Sequence, residues 1–260
     1  MKKFKLLIGT IAALALTATT LFVAPTTASA STKEITFATT GVSFPGSYKE
    51  NGKLTGFDVE VARAAAKKLG YKAKFVTTSF DGLFGQLTSG KADAVASSIA
   101  ITSERKQSYY FSSPYAFFDY GVVVKKDSKL KNVNQLGNKT IAATVGSNQI
   151  KVLNKFNSSI KVKTFDDREA ALNGVLNDQV DGYSNSKTIL KAIIKQKNLD
   201  LKILNGTIGS ENIAIAFNKN DDGKKLAKKF DKAIKELQDD GTISKLSKKY
   251  FAGIDASKSK

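Results

Sequence analysis

A strand–helix alternation runs through this 260-residue chain twice, and that pattern leaves few folds open. Glu34–Thr39 has the length and the Ile/Phe/Thr content of a strand. Phe57–Leu69 reads as a helix, because Ala62, Ala65, Ala66 and Leu69 recur at helical spacing and Gly70 ends it. Lys72–Thr77 alternates polar and apolar side chains, as a half-buried strand does. Asp81 is placed to cap a short helix through Thr88, and Ala92–Ser98 reads as a small apolar strand. A β-α-β-α-β order requires right-handed crossovers and predicts a mostly parallel sheet flanked by helices.

The order then recurs. Lys139–Thr144, Ile160–Phe165 and Val180–Tyr183 read as strands, and Ser147–Phe156, Asp167–Asn177 and Ser186–Gln196 as the helices between and after them. No Gly/Ser/Pro-rich linker separates the two units, so they are expected to be two lobes of an α/β protein. Two further strand-like runs, Tyr120–Lys125 and Asn212–Asn218, flank the second unit and are candidates for paired strands crossing between the lobes. The C-terminal segment is helical. Leu226, Phe230, Ile234 and Leu237 form one stripe of Asp221–Gln238, and Thr242–Tyr250 follows after Gly241. Since the alternation has stopped by then, this segment is expected to pack back on the first lobe. That makes lobe 1 discontinuous, over 31–117 and 213–260. Lobe 2 covers 118–212, with crossings near 117–121 and 209–213.

Composition removes much catalytic chemistry. The chain has no Cys and no His, so disulfides, thiol nucleophiles, thiolate or imidazole metal sites and a Ser-His-Asp triad are all excluded. No metal and no cofactor is expected. Any enzyme here would have to work with carboxylates, Lys, Tyr or Ser.

The first thirty residues read as an export signal: a basic start at Lys2, Lys3 and Lys5, a largely apolar Leu6–Ala24, then Ala28-Ser29-Ala30 as a small-x-small cleavage site. Nineteen residues could just span a membrane, but Thr10, Thr17, Thr19 and Thr20 weaken that reading. A lipid anchor would need a cysteine after the cleavage site, and there is none. The expectation is a secreted protein at the cell surface without a lipid.

Charge speaks to partners. Lys and Arg number 41 against 23 Asp and Glu, a net charge of +18, and Arg63, Arg105 and Arg168 are the only arginines. Nucleic-acid readers favour arginine forks and aromatic stacking. Lysines spread along many segments fit attraction to a polyanionic surface such as wall polymer or anionic membrane instead. A merely soluble, self-repelling surface is the plainer alternative.

Four strings occur in order along the chain: GKLTGFDVEVARAAAKKLG, FDGLFGQLTSGKADAV, ITSERKQSYYFSSPY and DGTISKLSKKYF. Together they resemble the extracellular solute-binding proteins of family 3, the polar amino-acid receptors of ABC importers, over nearly the whole chain after the leader. The resemblance implies a two-lobed, type II periplasmic-binding-protein-like fold that works as a monomer, captures an amino acid and delivers it to a membrane permease. The basicity and missing lipid cysteine look like the basic surface proteins of lactobacilli. That subgroup is linked to cystine uptake and, in some members, to adhesion to collagen or mucus.

A free amino acid is a zwitterion, whose carboxylate needs a cation with paired donors and whose ammonium needs acceptors. The planar fork of arginine suits the first task, and Arg105 follows a predicted strand where α/β sheets gather ligands. By resemblance Arg105 is the carboxylate clamp. One charge-assisted hydrogen bond supplies about 1.5–3 kcal/mol and a micromolar complex needs about 8 kcal/mol, so partners are required. Gly146-Ser147-Asn148 opens a predicted helix, where backbone N–H groups attract anions. The family commonly has Gly-Thr-Thr there, and the resemblance implies that Ser147 and Asn148 approach the same carboxylate; Ser147 could equally be a plain N-cap. Ser98 stands where the family meets the ligand's amino end. Ala100 replaces a usual hydroxyl residue and offers only its carbonyl. Phe80 matches the aromatic covering the ligand side chain, with core packing as its alternative.

Two departures matter. The usual Tyr-Pro-Pro-Phe run appears as Ser43-Phe44-Pro45-Gly46, so its aromatic share falls to Phe44 or Tyr48. The family acid in lobe 2 aligns with Ser186, which leaves Glu211 as substitute ammonium partner and Asp119 in reserve; both could instead cap the hinge. Three readings follow: a binding receptor, an enzyme such as a dehydratase or wall-cleaving lyase on the same scaffold, and an adhesin. The enzyme lacks a paired acid, since Glu211 is the only carboxylate placed in the cleft.

Overall fold

A computed structural model of the chain describes residues 33–259. The predicted leader, 1–30, and its cleavage site lie outside the described residues. Among those described, no helix is long and apolar enough to cross a membrane.

The chain opens with strand β1 (Lys33–Thr39), a small hairpin sheet of β2 (Val42–Ser43), β3 (Ser47–Glu50) and β4 (Lys53–Thr55), and helix α1 (Phe57–Lys68). No side chain caps α1; the carbonyls of Pro45 and Gly46 take the N–H groups of Phe57 and Asp58 at 3.0 and 2.9 Å. These bonds satisfy first-turn donors that lack intrahelical partners. Then come β5 (Tyr71–Thr77), α2 (Leu83–Thr88), β6 (Ala94–Val95), α3 (Ser103–Ser108) and β7 (Tyr109–Phe111). The N-cap of α2 is Gly82 without a side-chain bond, so Asp81 does not cap it. Pairing in the strand expected over Ala92–Ser98 is confined to Ala94–Val95, and beyond it Ser98 turns to a positive φ of 51°.

The next unit begins with β8 (Ala116–Lys125) and continues with β9 (Thr140–Thr144), α4 (Gln149–Phe156), β10 (Lys161–Phe165) and α5 (Arg168–Leu176). β11 (Gly182–Ser186), α6 (Lys187–Lys197), β12 (Leu201–Ile203) and β13 (Gly209–Ile213) follow. Asp167 caps α5 through the Ala170 N–H at 2.8 Å, and Ser186 caps α6. The chain ends with β14 (Ala216–Asn218), α7 (Asp221–Asp239) and α8 (Thr242–Tyr250).

Two large sheets result. The first has the order β5-β1-β6-β14-β7, and the second β10-β9-β11-β8-β12 with β13 also paired to β8. Both are mixed yet mostly parallel in strand direction, as expected, with one opposed strand in each, β14 and β8. β1 pairs in parallel with β5 and β6, and β9 with β10 and β11, but β14 and β8 run antiparallel to their neighbours. The antiparallel strands belong to the two passages of the chain between the sheets, which no crossover helix turns round. Along those passages β8 and β13 pair from Ala116↔Ile213 to Tyr120↔Gly209.

α7 seats its apolar stripe on the first sheet, where Phe230 is fully buried with its ring centroid 5.8 Å from Phe37 and 5.3 Å from Phe217. The core of the second sheet includes Val122, Val124, Ile141, Leu153 and Ile160.

Candidate functional site

A narrow cleft opens at the carboxyl ends of the parallel strands. Its walls include Phe80, Ser98, Ala100 and Arg105 from the segments around β6 and α3, and Thr144, Ser147, Asn148 and Arg168 from those after β9 and β10. Strand β8 contributes Phe118 and Tyr120, and β11 contributes Asn185. The cavity is about 30 Å3.

Arg105 sits in the first turn of α3, whose N-cap Thr102 accepts from the Arg105 N–H at 3.1 Å. Its guanidinium donates to the Ala100 carbonyl at 3.1 Å and to the Gly146 carbonyl at 3.3 Å, and lies 5.2 Å from the Phe84 ring centroid. It therefore touches backbone from both sides of the cleft. Burial pulls its pKa below the ordinary arginine value, and the nearby Glu211 charge opposes that. The two sides also meet at Gly146: with φ at 73°, a Cβ there would come within 3.0 Å of the Asp81 Cα, so a glycine permits the approach.

Ser147 is buried, and its hydroxyl has no hydrogen-bond partner. It is not the cap of α4, because that position falls to Asn148, which makes no side-chain cap bond either. Asn148 instead donates its amide to Glu211. The other carboxylate oxygen of Glu211 accepts from the Tyr120 hydroxyl at 2.9 Å. Burial pushes the Glu211 pKa up, against the pull of Tyr120 and Arg105. Glu211 thus stands behind the wall and reaches the cleft through Asn148 and Tyr120.

Ser98 donates its hydroxyl to Asp58 at 2.7 Å, and Tyr115 donates to the other oxygen of Asp58 at 2.7 Å. Asp58 is 2% exposed, and burial drives its pKa above the ordinary 3.8 despite those donors and the Arg168 charge. The Ala100 carbonyl is engaged by Arg105.

The remaining sequence candidates lie elsewhere. Phe44 and Tyr48 do not line the cleft; their rings pair edge-on at 4.8 Å and face a neighbouring groove with Val42, Leu172 and Ile193. The hairpin turns them toward one another and onto the core, away from the cleft lining. Ser186 is fully buried as the cap of α6 and does not reach the cleft. Asp119 accepts from Ser210 at 2.7 Å on the outer side of the paired strands.

Sequence reasoning missed Arg168, Tyr120 and Asn185. Arg168 carried a signal, being one of three arginines and standing at a predicted helix start after a strand. Its Nη1 donates to the Phe44 carbonyl, while its Nε is buried without a partner.

The raised pKa of Asp58 has a consequence for stability. Below 3.8 its carboxyl is protonated in both folded and unfolded chains. Above that value the unfolded chain ionises first, so this group lowers stability as pH rises until the folded carboxyl ionises too. Glu211 acts in the same sense. Asp58→Asn is expected to make the urea midpoint rise more, or fall less, with pH above 3.8 than it does in the wild-type chain; an unchanged pH dependence would exclude a contribution from Asp58.

Two mixed α/β sheets joined by a pair of antiparallel strands, with a cleft at the strand ends, define a type II periplasmic-binding-protein fold. The chain belongs to the bacterial extracellular solute-binding proteins, family 3, whose family model matches residues 35–253. It is 46% identical over 215 residues to the probable amino-acid-binding protein YxeM of Bacillus subtilis, covering 82% of this chain and 81% of that one. It is 31% identical to the L-cystine-binding protein TcyJ of Escherichia coli, covering 83% and 80%. Among solved structures it superposes with a TM-score of 0.79 and 31% identity on one from a study of glutathione import via GshT and the cystine importer TcyBC of Streptococcus mutans, covering 87% and 98%.

Proposed function

We propose that the chain is the extracellular receptor of an ABC importer, capturing a free amino acid or small derivative between two closing lobes and presenting it to a membrane permease. The observation that carries this reading is Arg105, a guanidinium in the cleft whose direct bonds run to main-chain carbonyls on both sides, a fitting clamp for a carboxylate. The lobes are 31–117 with 213–260, and 118–212; β8 and β13 form the crossing between them.

The cavity of about 30 Å3 is far below the ~300–1,000 Å3 of ligand pockets. Entry therefore requires the walls to part, and a ligand bridging them favours the closed arrangement. Ser147 and the backbone at Ser147-Asn148 take the far side of the carboxylate, Phe80 covers the side chain, and Ser98 faces the amino end. Glu211 stands behind the wall, fixing the Asn148 amide and the Tyr120 hydroxyl. Cystine and other polar amino acids lead the candidates, supported by the L-cystine specificity named for TcyJ. Glutathione joins them through the Streptococcus mutans study. The role is binding rather than catalysis: Asp58 and Glu211 are each held by two neutral donors and neither lines the cleft.

A cognate ligand at 100 times its Kd should stabilise the fold by about 2.7 kcal/mol. A thermal-shift panel of the common amino acids, cystine and small peptides tests this, and no shift with any of them would overturn the receptor role.

The net charge of +18 supports a second role, adhesion of a secreted, lipid-free protein to wall polymer, collagen or mucus through exposed lysines. Such binding should weaken steeply with salt, whereas cleft binding should not. A salt titration of both separates the two roles.

A further inference from the structure

We propose that the cleft is built for a net anion: a ligand with two acidic groups and one ammonium, its first carboxylate on Arg105 and its second on Arg168. The inference rests on the receptor reading and narrows its substrate class to net anions, which sets cystine, with its two ammonium groups, below a dicarboxylate.

Arg105 and Arg168 enter the cleft from α3 and α5, segments associated with different sheets, and both line the one cavity. No Asp or Glu lines it. Among the described residues, neither guanidinium enters a salt bridge. Arg105 makes its side-chain hydrogen bonds to the Ala100 and Gly146 carbonyls, and Arg168 to the Phe44 carbonyl. A guanidinium has five N–H donors, and the Nε of Arg168 is buried with none of its capacity used. The Ser147 hydroxyl beside them is also buried without a partner.

The carboxylates nearby do not answer this charge directly. Asp58 accepts from Ser98 and Tyr115, and Glu211 from Tyr120 and Asn148, so each already has donors on both oxygens. Charge-assisted bonds to a doubly acidic ligand would employ the unused donors on both guanidinia. A ligand ammonium finds only neutral acceptors at the wall, which disfavours a second one.

The test is calorimetry on the wild-type chain with matched acid–amide pairs: aspartate and asparagine, glutamate and glutamine, 2-aminoadipate and its side-chain amide, and glutathione and its glycine amide, with alanine, methionine and cystine alongside. At least one dicarboxylate should bind about ten-fold or more tightly than its amide, as expected for one charged hydrogen-bonded contact. Arg168→Gln should bring that ratio below about two. Amides binding as tightly as their acids would overturn the proposal and leave the receptor reading intact, with both arginines gripping one carboxylate. Cystine binding more tightly than every net anion would overturn the charge requirement. No binding by any compound would overturn both. Because the wild-type ratios decide the matter, the proposal stays falsifiable even where Arg168→Gln fails to fold.

Discussion

Arg105→Ala should abolish the ligand-induced thermal shift while leaving the unliganded unfolding midpoint nearly unchanged. The side chain's direct polar bonds are to the Ala100 and Gly146 carbonyls, and it is only partly buried, so truncation removes little from the core. For a bound carboxylate the loss is large. Hydrogen bonds to charged groups contribute about 1.5–3 kcal/mol each, so a bidentate contact is worth roughly a hundred-fold or more in Kd. Calorimetry with the cognate ligand measures it, and an affinity within about three-fold of wild type would remove Arg105 from the site. Arg105→Lys is expected to recover only part of the binding, because a point charge cannot reproduce the planar fork.

Phe230→Ala should have the opposite profile, a severe loss of stability at a position remote from the cleft. The ring is fully buried beneath α7 and sits against Phe37 of β1 and Phe217 of β14. Truncating a buried Phe costs about 3–5 kcal/mol, a large share of the ~5–15 kcal/mol that holds a typical domain together. Urea unfolding should show a lower midpoint at an unchanged slope. A loss below about 1 kcal/mol would mean that α7 is not an integral layer of the first sheet.

Much of the fold was legible because the apolar pattern carries it. The Ala62/Ala65/Ala66 stripe and the Leu226/Phe230/Ile234/Leu237 stripe are the buried faces of α1 and α7, apart from the half-covered Leu226. What the pattern missed were pieces too short for periodicity to show, such as β3, β4 and β12, and β2, whose pairing covers two residues. Of the caps read from the sequence, neither Asp81 nor Ser147 holds, since the N-cap positions fall one residue later at Gly82 and Asn148; Asp167 and Ser186, read only as helix starts, do cap α5 and α6.

Within the cleft, residues tied to a local motif were placed together: Arg105, Ser98, Ala100, Phe80, Ser147 and Asn148. Residues brought in by distant pairing were not. Tyr120 faces the cleft because β8 runs beside β11 and β13, and Glu211 stands one layer back for the same register, facts that no local spacing reveals. Phe44 and Tyr48 lie outside the cleft lining for a related reason. Their hairpin lies over α1, and its fold decides which way the rings face.

One topological detail reaches into biosynthesis. β14 lies between β6 and β7, so a strand beginning at Ala216 completes a sheet started at Lys33. All strands of the other sheet fall between Ala116 and Ile213 and are complete earlier along the polypeptide. During synthesis from the N-terminus, the inserted half has all its partners before the outer half does. The nascent chain must leave the β14 edge of β6 unpaired until residue 218 has been made, with residues 219–260 still to come, which reverses the usual order of maturation along a growing chain.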